Sequence, residues 1–131
     1  MSQRVPASMR RELQKRAGFR CEYCLVHERD AVFAHEPDHV LSRRHGGETT
    51  LLNLAWACFT CNRLKSCDLS SIDLETGRIV RLFNPRRDNW HKHFHLKRGR
   101  IIPLTAIGRA TEYHLQLNRK DAFDSRRRPT K

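Results

Sequence analysis

Three residue types with metal and proton chemistry fall close together in this chain. Asp38 and His39 are adjacent, Asn62 lies just past the second of two C-x-x-C pairs, and those pairs are Cys21/Cys24 and Cys58/Cys61. A carboxylate oxygen and an amide oxygen are hard ligands, suited to Mg2+ or Mn2+, which binds through one or two protein groups plus substrate phosphate. A neutral imidazole, with an ordinary pKa of about 6.5, accepts a proton from water near neutral pH. Asp38 and Asn62 as ligands and His39 as general base therefore amount to the parts of phosphodiester hydrolysis. Adjacent strand residues point to opposite faces, so a bulge or strand end must turn His39 toward the water while Asp38 holds the ion. Taken alone, His39 would read as a half-buried histidine bonded to a carbonyl; its neighbours make catalysis the expectation. Asn53, between Leu52 and Leu54, is placed to bond to loop backbone, hold the 41–53 connection and so position His39.

The two C-x-x-C pairs each present two converging thiolates, enough to close a tetrahedral four-cysteine zinc site with no position open to substrate. Structural Zn2+ is the expectation for Cys21, Cys24, Cys58 and Cys61. The insert between the pairs, residues 25–57, exceeds that of a compact ribbon, so the metal pins the ends of a unit with another task. Cys67 is expected as a helix residue outside the ligand set.

The elements that must carry these groups follow from local signals. Pro6 opens and Gly18 stops an N-terminal helix with Met9, Leu13, Arg16 and Ala17 on one side. Residues 31–36 favour a strand that Pro37 ends or kinks. Gly46-Gly47 marks a loop over 43–50, Leu54–Ala57 a second strand, and a helix should run from Phe59 or Thr60 to about Leu69. That order gives a ββα unit clamped by the cysteine knuckles. Downstream, a strand is expected over 78–83 after the turn at 75–77. A short helix over 86–96 carries Trp90 and Phe94 at i, i+4. A strand over 100–104 is expected to form a hairpin with the strand at 78–83, and a helix capped by Thr105 should reach about Leu117. The basic tail 125–131 is expected to be disordered.

The 131 residues suit one domain: a zinc and ββα core over 18–70, a small mixed extension over 71–124 and the tail, in the α+β class. Lys and Arg number 26 against 14 acids, a net charge of +12 with pI near 10.4 and a mean hydropathy of -0.73. That balance points to a polyanion, most simply DNA. Arg43 and Arg44 in the loop, and Arg86 and Arg87 downstream, could line its path. No apolar run approaches the ~20 residues of a membrane span, no secretory signal is evident, and paired cysteines used as thiolates suit a reducing, cytoplasmic setting.

Over residues 18–66, the Asp-His pair, Gly46-Gly47, Asn53-Leu54 and C-x-x-C-Asn resemble the HNH endonuclease family, in the branch whose third signature residue is Asn. The resemblance implies a ββα-metal finger that cleaves DNA strands, leaving 5′-phosphate and 3′-hydroxyl ends. It assigns Asp38 and Asn62 as metal ligands, His39 as general base, Asn53 as the loop-orienting residue and Lys65 as a basic position often facing the phosphate. A solvated helix lysine is the other reading of Lys65. The expected enzyme acts on DNA as a monomer or weak dimer. Its rival is a zinc-stabilised nucleic-acid-binding protein without catalysis.

Overall fold

The computed structural model describes residues 4–128. Helix α1, Ala7–Arg16, follows Pro6, whose fixed φ suits a helix start and whose missing N–H costs nothing there. Leu13 is fully buried, Met9 and Ala17 pack beside it, and the Arg16 guanidinium donates to the Leu51 and Leu54 carbonyls. Gly18 takes φ +64 and ends the helix.

Strand β1, Glu36–His39, pairs antiparallel with β2, Leu54–Ala57, in the register Glu36↔Ala57, Pro37↔Trp56, Asp38↔Ala55, His39↔Leu54. The strand expected over 31–36 thus starts five residues later and contains Pro37 instead of ending before it. Residues 32–34 lack a core to face: Val32 is 91% and Phe33 59% exposed. Pro37 is tolerated because Trp56 opposite it bonds away from β1, exchanging its N–H and C=O with the Glu22 carboxylate and amide. The proline therefore sits at a non-bonded position, where no ladder N–H is needed.

All four residues of β2 are buried. Leu54 and Trp56 join Val5 and Leu13 under α1, while Ala55 and Ala57 enter a larger core with the cysteines, Phe83, Phe94, Ile101 and Leu115. The apolar run Leu-Ala-Trp-Ala is what a strand covered on both faces requires. Helix α2, Phe59–Lys65, follows at once, with the Cys58 sulfur accepting from Cys61 N–H at its start. It ends four residues before the expected Leu69 because Ser66 turns to φ +50. Cys67 consequently lies beyond the helix, not in it.

The rest of the chain forms two hairpins and three helices. β3, Ser70–Ile72, which the sequence did not announce, pairs with β4, Ile79–Arg81, around a turn in which the Asp73 carboxylate accepts from Glu75 N–H and the Thr76 hydroxyl. The expected helix over 86–96 is one turn, α3, Trp90–His93. Phe94 already begins β5, Phe94–Lys97, which pairs with β6, Arg100–Pro103. β6 is therefore hairpinned to β5 and not to the 79–81 strand. Thr105 caps α4, Ala106–Leu115, through Gly108 N–H, as its type predicts. The tail departs from expectation: α5, Lys120–Arg127, is helical through the first three residues of the segment expected to be disordered, with Ser125 buried. Residues 129–131 lie outside the described residues. The chain is thus a small α+β assembly with the cysteines in its main core.

Candidate metal centre and catalytic cleft

The two knuckles are built by backbone N–H groups turned onto sulfur. Tyr23 and Cys24 N–H donate to Cys21 Sγ at 3.4 Å each, and Cys61 N–H donates to Cys58 Sγ at 3.3 Å. Leu25 adopts φ +67 to close the first turn. The four sulfurs lie within 4.8 Å of one another, all buried, and Cys24 and Cys58 stand 3.6 Å apart. A zinc tetrahedron with bonds of about 2.3 Å sets its sulfurs about 3.8 Å apart, whereas a disulfide needs about 2.05 Å. Hydrogen bonds from Cys21, Cys24 and Cys61 hold the Cys58 thiol far below its ordinary range, while burial pushes Cys21 up. Four thiolates are stable in this space only around a positive ion, and the donor set fits zinc.

His39, at the end of β1, and Asn62, on α2, open into one cleft of about 590 Å3 lined also by Arg4, Arg10, Glu36 and Arg63. The His39 pKa is lowered by burial first and then by Arg43 and Lys65, which keeps the imidazole neutral. Its Nε2 lies 2.9 Å from the Thr49 hydroxyl. With Nε2 protonated and donating to Thr49, the free lone pair belongs to Nδ1. Asn53 secures the loop that brings Thr49 there. Its Oδ1 accepts from Leu41 N–H at 3.0 Å, and its Nδ2 donates to the Leu41 and Glu48 carbonyls at 2.9 Å. Gly47 lets these strands of loop touch, since a Cβ there would fall 1.7 Å from the Leu41 carbonyl oxygen.

Asp38 faces the other way. It is 3% exposed, accepts from the Tyr23 hydroxyl at 2.6 Å, and meets Lys65 Nζ at 3.4 Å. Burial raises its pKa, against the pull of Lys65 and Tyr23. β1 keeps regular pairing through Asp38 and His39, so no bulge brings the two side chains together, and Asp38 does not line the cleft. The carboxylate that does is Glu36, which accepts from Asn62 Nδ2 at 2.5 Å and Arg63 at 2.6 Å. Glu36 is the first residue of β1, and strand alternation, which groups it with Asp38 and opposite His39, gave no signal that it would reach the cleft.

Lys65 is neither solvated nor turned to a phosphate. It is 2% exposed, and its ammonium also donates to the His39 and Val40 carbonyls at 3.2 and 3.1 Å. This departs from the DNA-facing role expected of it: β1 and the start of the loop supply all its acceptors. Arg86 likewise departs from the expected DNA path, because its guanidinium is drawn inward to the Glu22 carboxylate. Arg43, Arg44 and Arg87 are exposed. Arg4 and Arg63, which the sequence did not single out, stand around His39 together with Arg10, one of the N-terminal helix's basic residues that could touch phosphates.

Comparison with known proteins adds one match. Residues 21–67 fit the family model described as HNH endonuclease. No curated protein and no solved structure gives a significant match to the chain.

Proposed function

We propose that this chain, whose residues 21–67 match the HNH endonuclease family model, is a metal-dependent endonuclease that hydrolyses DNA phosphodiester bonds, leaving 5′-phosphate and 3′-hydroxyl ends. The observation that carries this reading is the cleft shared by His39 and Asn62. The hairpin β1–β2 followed by α2 serves as the ββα-metal finger, clamped by structural Zn2+ on Cys21, Cys24, Cys58 and Cys61. His39 Nδ1 accepts the proton of the attacking water in the tautomer whose Nε2–H donates to the Thr49 hydroxyl. Asn53 holds the loop that carries Thr49. A divalent ion of the Mg2+ or Mn2+ kind, when bound, would polarise the phosphate and stabilise the departing oxygen. Asn62 gives its amide nitrogen to Glu36, so its amide oxygen is the atom left to act as a ligand. Glu36 supplies the accompanying carboxylate. The alternative carboxylate is Asp38, favoured by its adjacency to His39, but it must first give up Tyr23 and Lys65. Arg43, Arg44, Arg87 and the arginines of the cleft take the DNA backbone. The enzyme works as a monomer or weak dimer in the cytoplasm, one strand per engagement.

The test is nicking of supercoiled plasmid across a metal series. Wild type should nick with Mg2+ or Mn2+, and His39→Ala should lose activity by ~10²–10⁴-fold while keeping zinc and DNA binding. A wild-type protein that binds DNA yet fails to nick with every metal of the series would leave only a nucleic-acid-binding module.

A further inference from the structure

The C-terminal segment returns to the cysteine cluster, although the family match ends at residue 67. After α4, Gln116 turns to φ +48 and the chain enters α5 at Arg119. The Arg119 side chain is only 12% exposed. Its guanidinium reaches three of the four sulfurs: Nη1 lies 3.7 Å from Cys61 Sγ, and Nη2 lies 3.6 Å from Cys24 Sγ and 3.3 Å from Cys58 Sγ. Two turns along the same helix, Arg126 donates to the Cys24 carbonyl at 3.1 Å, the Gly99 carbonyl at 2.7 Å and Asn118 Oδ1 at 3.2 Å. Spacing of i, i+7 puts both arginines on one face of α5, the face laid against the knuckles.

A guanidinium has five donors and no acceptor capacity, and it stays charged in any protein setting. Against neutral thiols its charge would have only the exposed Asp121 carboxylate, 3.4 Å from Nε, which offsets little of the desolvation cost of a buried cation. Against metal-bound thiolates the sign reverses. A zinc ion with four thiolates carries a net charge of −2, which two guanidinium groups cancel. The sulfurs then receive N–H donors in addition to those of the knuckle backbone, and outer hydrogen bonds of this kind set how firmly a metal is held.

We propose that Arg119, with Arg126 behind it, is an outer clamp on the four-cysteine zinc centre, making zinc retention a property of the C-terminal helix and not of the HNH segment alone. Arg119 acts on zinc only through the cysteines, so it is a positioning residue. The inference rests on the zinc reading and is independent of whether the cleft cuts DNA.

The test uses full-length protein loaded with zinc, and separately with Co2+. Zinc release to an excess of a chromogenic chelator should be ~10–100-fold faster in Arg119→Gln than in wild type. The thiolate-to-cobalt charge-transfer band of that variant should shift to lower energy, because sulfurs stripped of N–H donors hold their electrons less tightly. Arg119→Lys keeps the charge but loses the fork and should fall between the two in both measurements. Arg109→Gln breaks a pair with buried Asp73 on another part of the fold. It should lower thermal stability while leaving the cobalt band in place, which separates the clamp from general destabilisation. A folded Arg119→Gln protein with wild-type release and an unshifted band overturns the proposal. Should that chain fail to fold, an Arg119→Lys protein matching wild type in both measurements overturns it equally.

Discussion

His39 is useful only while its imidazole is neutral, and the fold favours that form. Burial, Arg43 and Lys65 all lower its pKa from the ordinary value. A base with a lowered pKa stays competent to lower pH, so the acid limb of nicking should lie below about pH 6.5. Arg43→Gln removes one of the two positive neighbours and should move that limb upward; a profile of nicking rate against pH for both proteins checks it. The two carboxylates of β1 separate by a different measurement. Glu36→Gln should raise the Mn2+ concentration needed for half-maximal nicking and leave thermal stability nearly unchanged, since its partner Arg63 is mostly exposed and Glu36 itself is partly so. Asp38→Asn should lower stability by about 3 kcal/mol, as expected for breaking a buried ion pair. If Asp38→Asn melts like wild type but needs more metal, the assignments of the two residues exchange. The sequence could not decide between them. Glu36 and Asp38 share a face of β1, and what turns Asp38 inward is Lys65, a residue of the following helix whose acceptors are supplied by the strand and loop.

At the scale of elements, the loop from Leu41 to Asn53 has almost no regular structure, yet it holds the proposed base His39 through Thr49. Gly47→Ala would drive a methyl into the Leu41 carbonyl and push the Asn53 side chain off its three backbone partners. Nicking should fall by at least the ~10²-fold that small misplacements of a catalytic group cost, with zinc content unchanged; near-normal activity would show that the loop does not position His39. Elements were legible wherever one local signal decided them. Leu54–Ala57 is apolar throughout, as a strand buried on both faces must be, and Thr105 caps α4 through its own hydroxyl. Elsewhere two structures satisfied one pattern. Trp90 and Phe94 touch, with ring centroids 5.0 Å apart, but across a corner between helix and strand and not along a helix. The β5–β6 hairpin turns at Arg98-Gly99, with φ +50 and +85. An arginine occupies a position where Asn, Asp or Gly would have signalled the turn.

For the molecule as a whole, metal and charge decide behaviour. Zinc binding by such sites contributes on the order of 10 kcal/mol to folding, comparable to an entire domain's stability. Cys58→Ser should therefore give an unfolded or insoluble chain, and strong chelators should abolish the cooperative melt of wild type. DNA affinity should fall steeply between low and moderate salt, because the proposed binding by a chain of net charge +12 would run through phosphates; a flat plot of log affinity against log salt would exclude a phosphate-binding face. No helix among the described residues is long and apolar enough to cross a membrane. The placement of Arg119 also carries a consequence for biogenesis. Cys61 is synthesised before Arg119, and at the usual pace of translation the interval between them lasts roughly 3–12 s. During those seconds the nascent chain presents all four thiolates without their guanidinium, so a mismatched ion can still exchange. Once α5 emerges, the proposed clamp should slow exchange and keep whichever metal is resident, so α5 would time the end of metal selection.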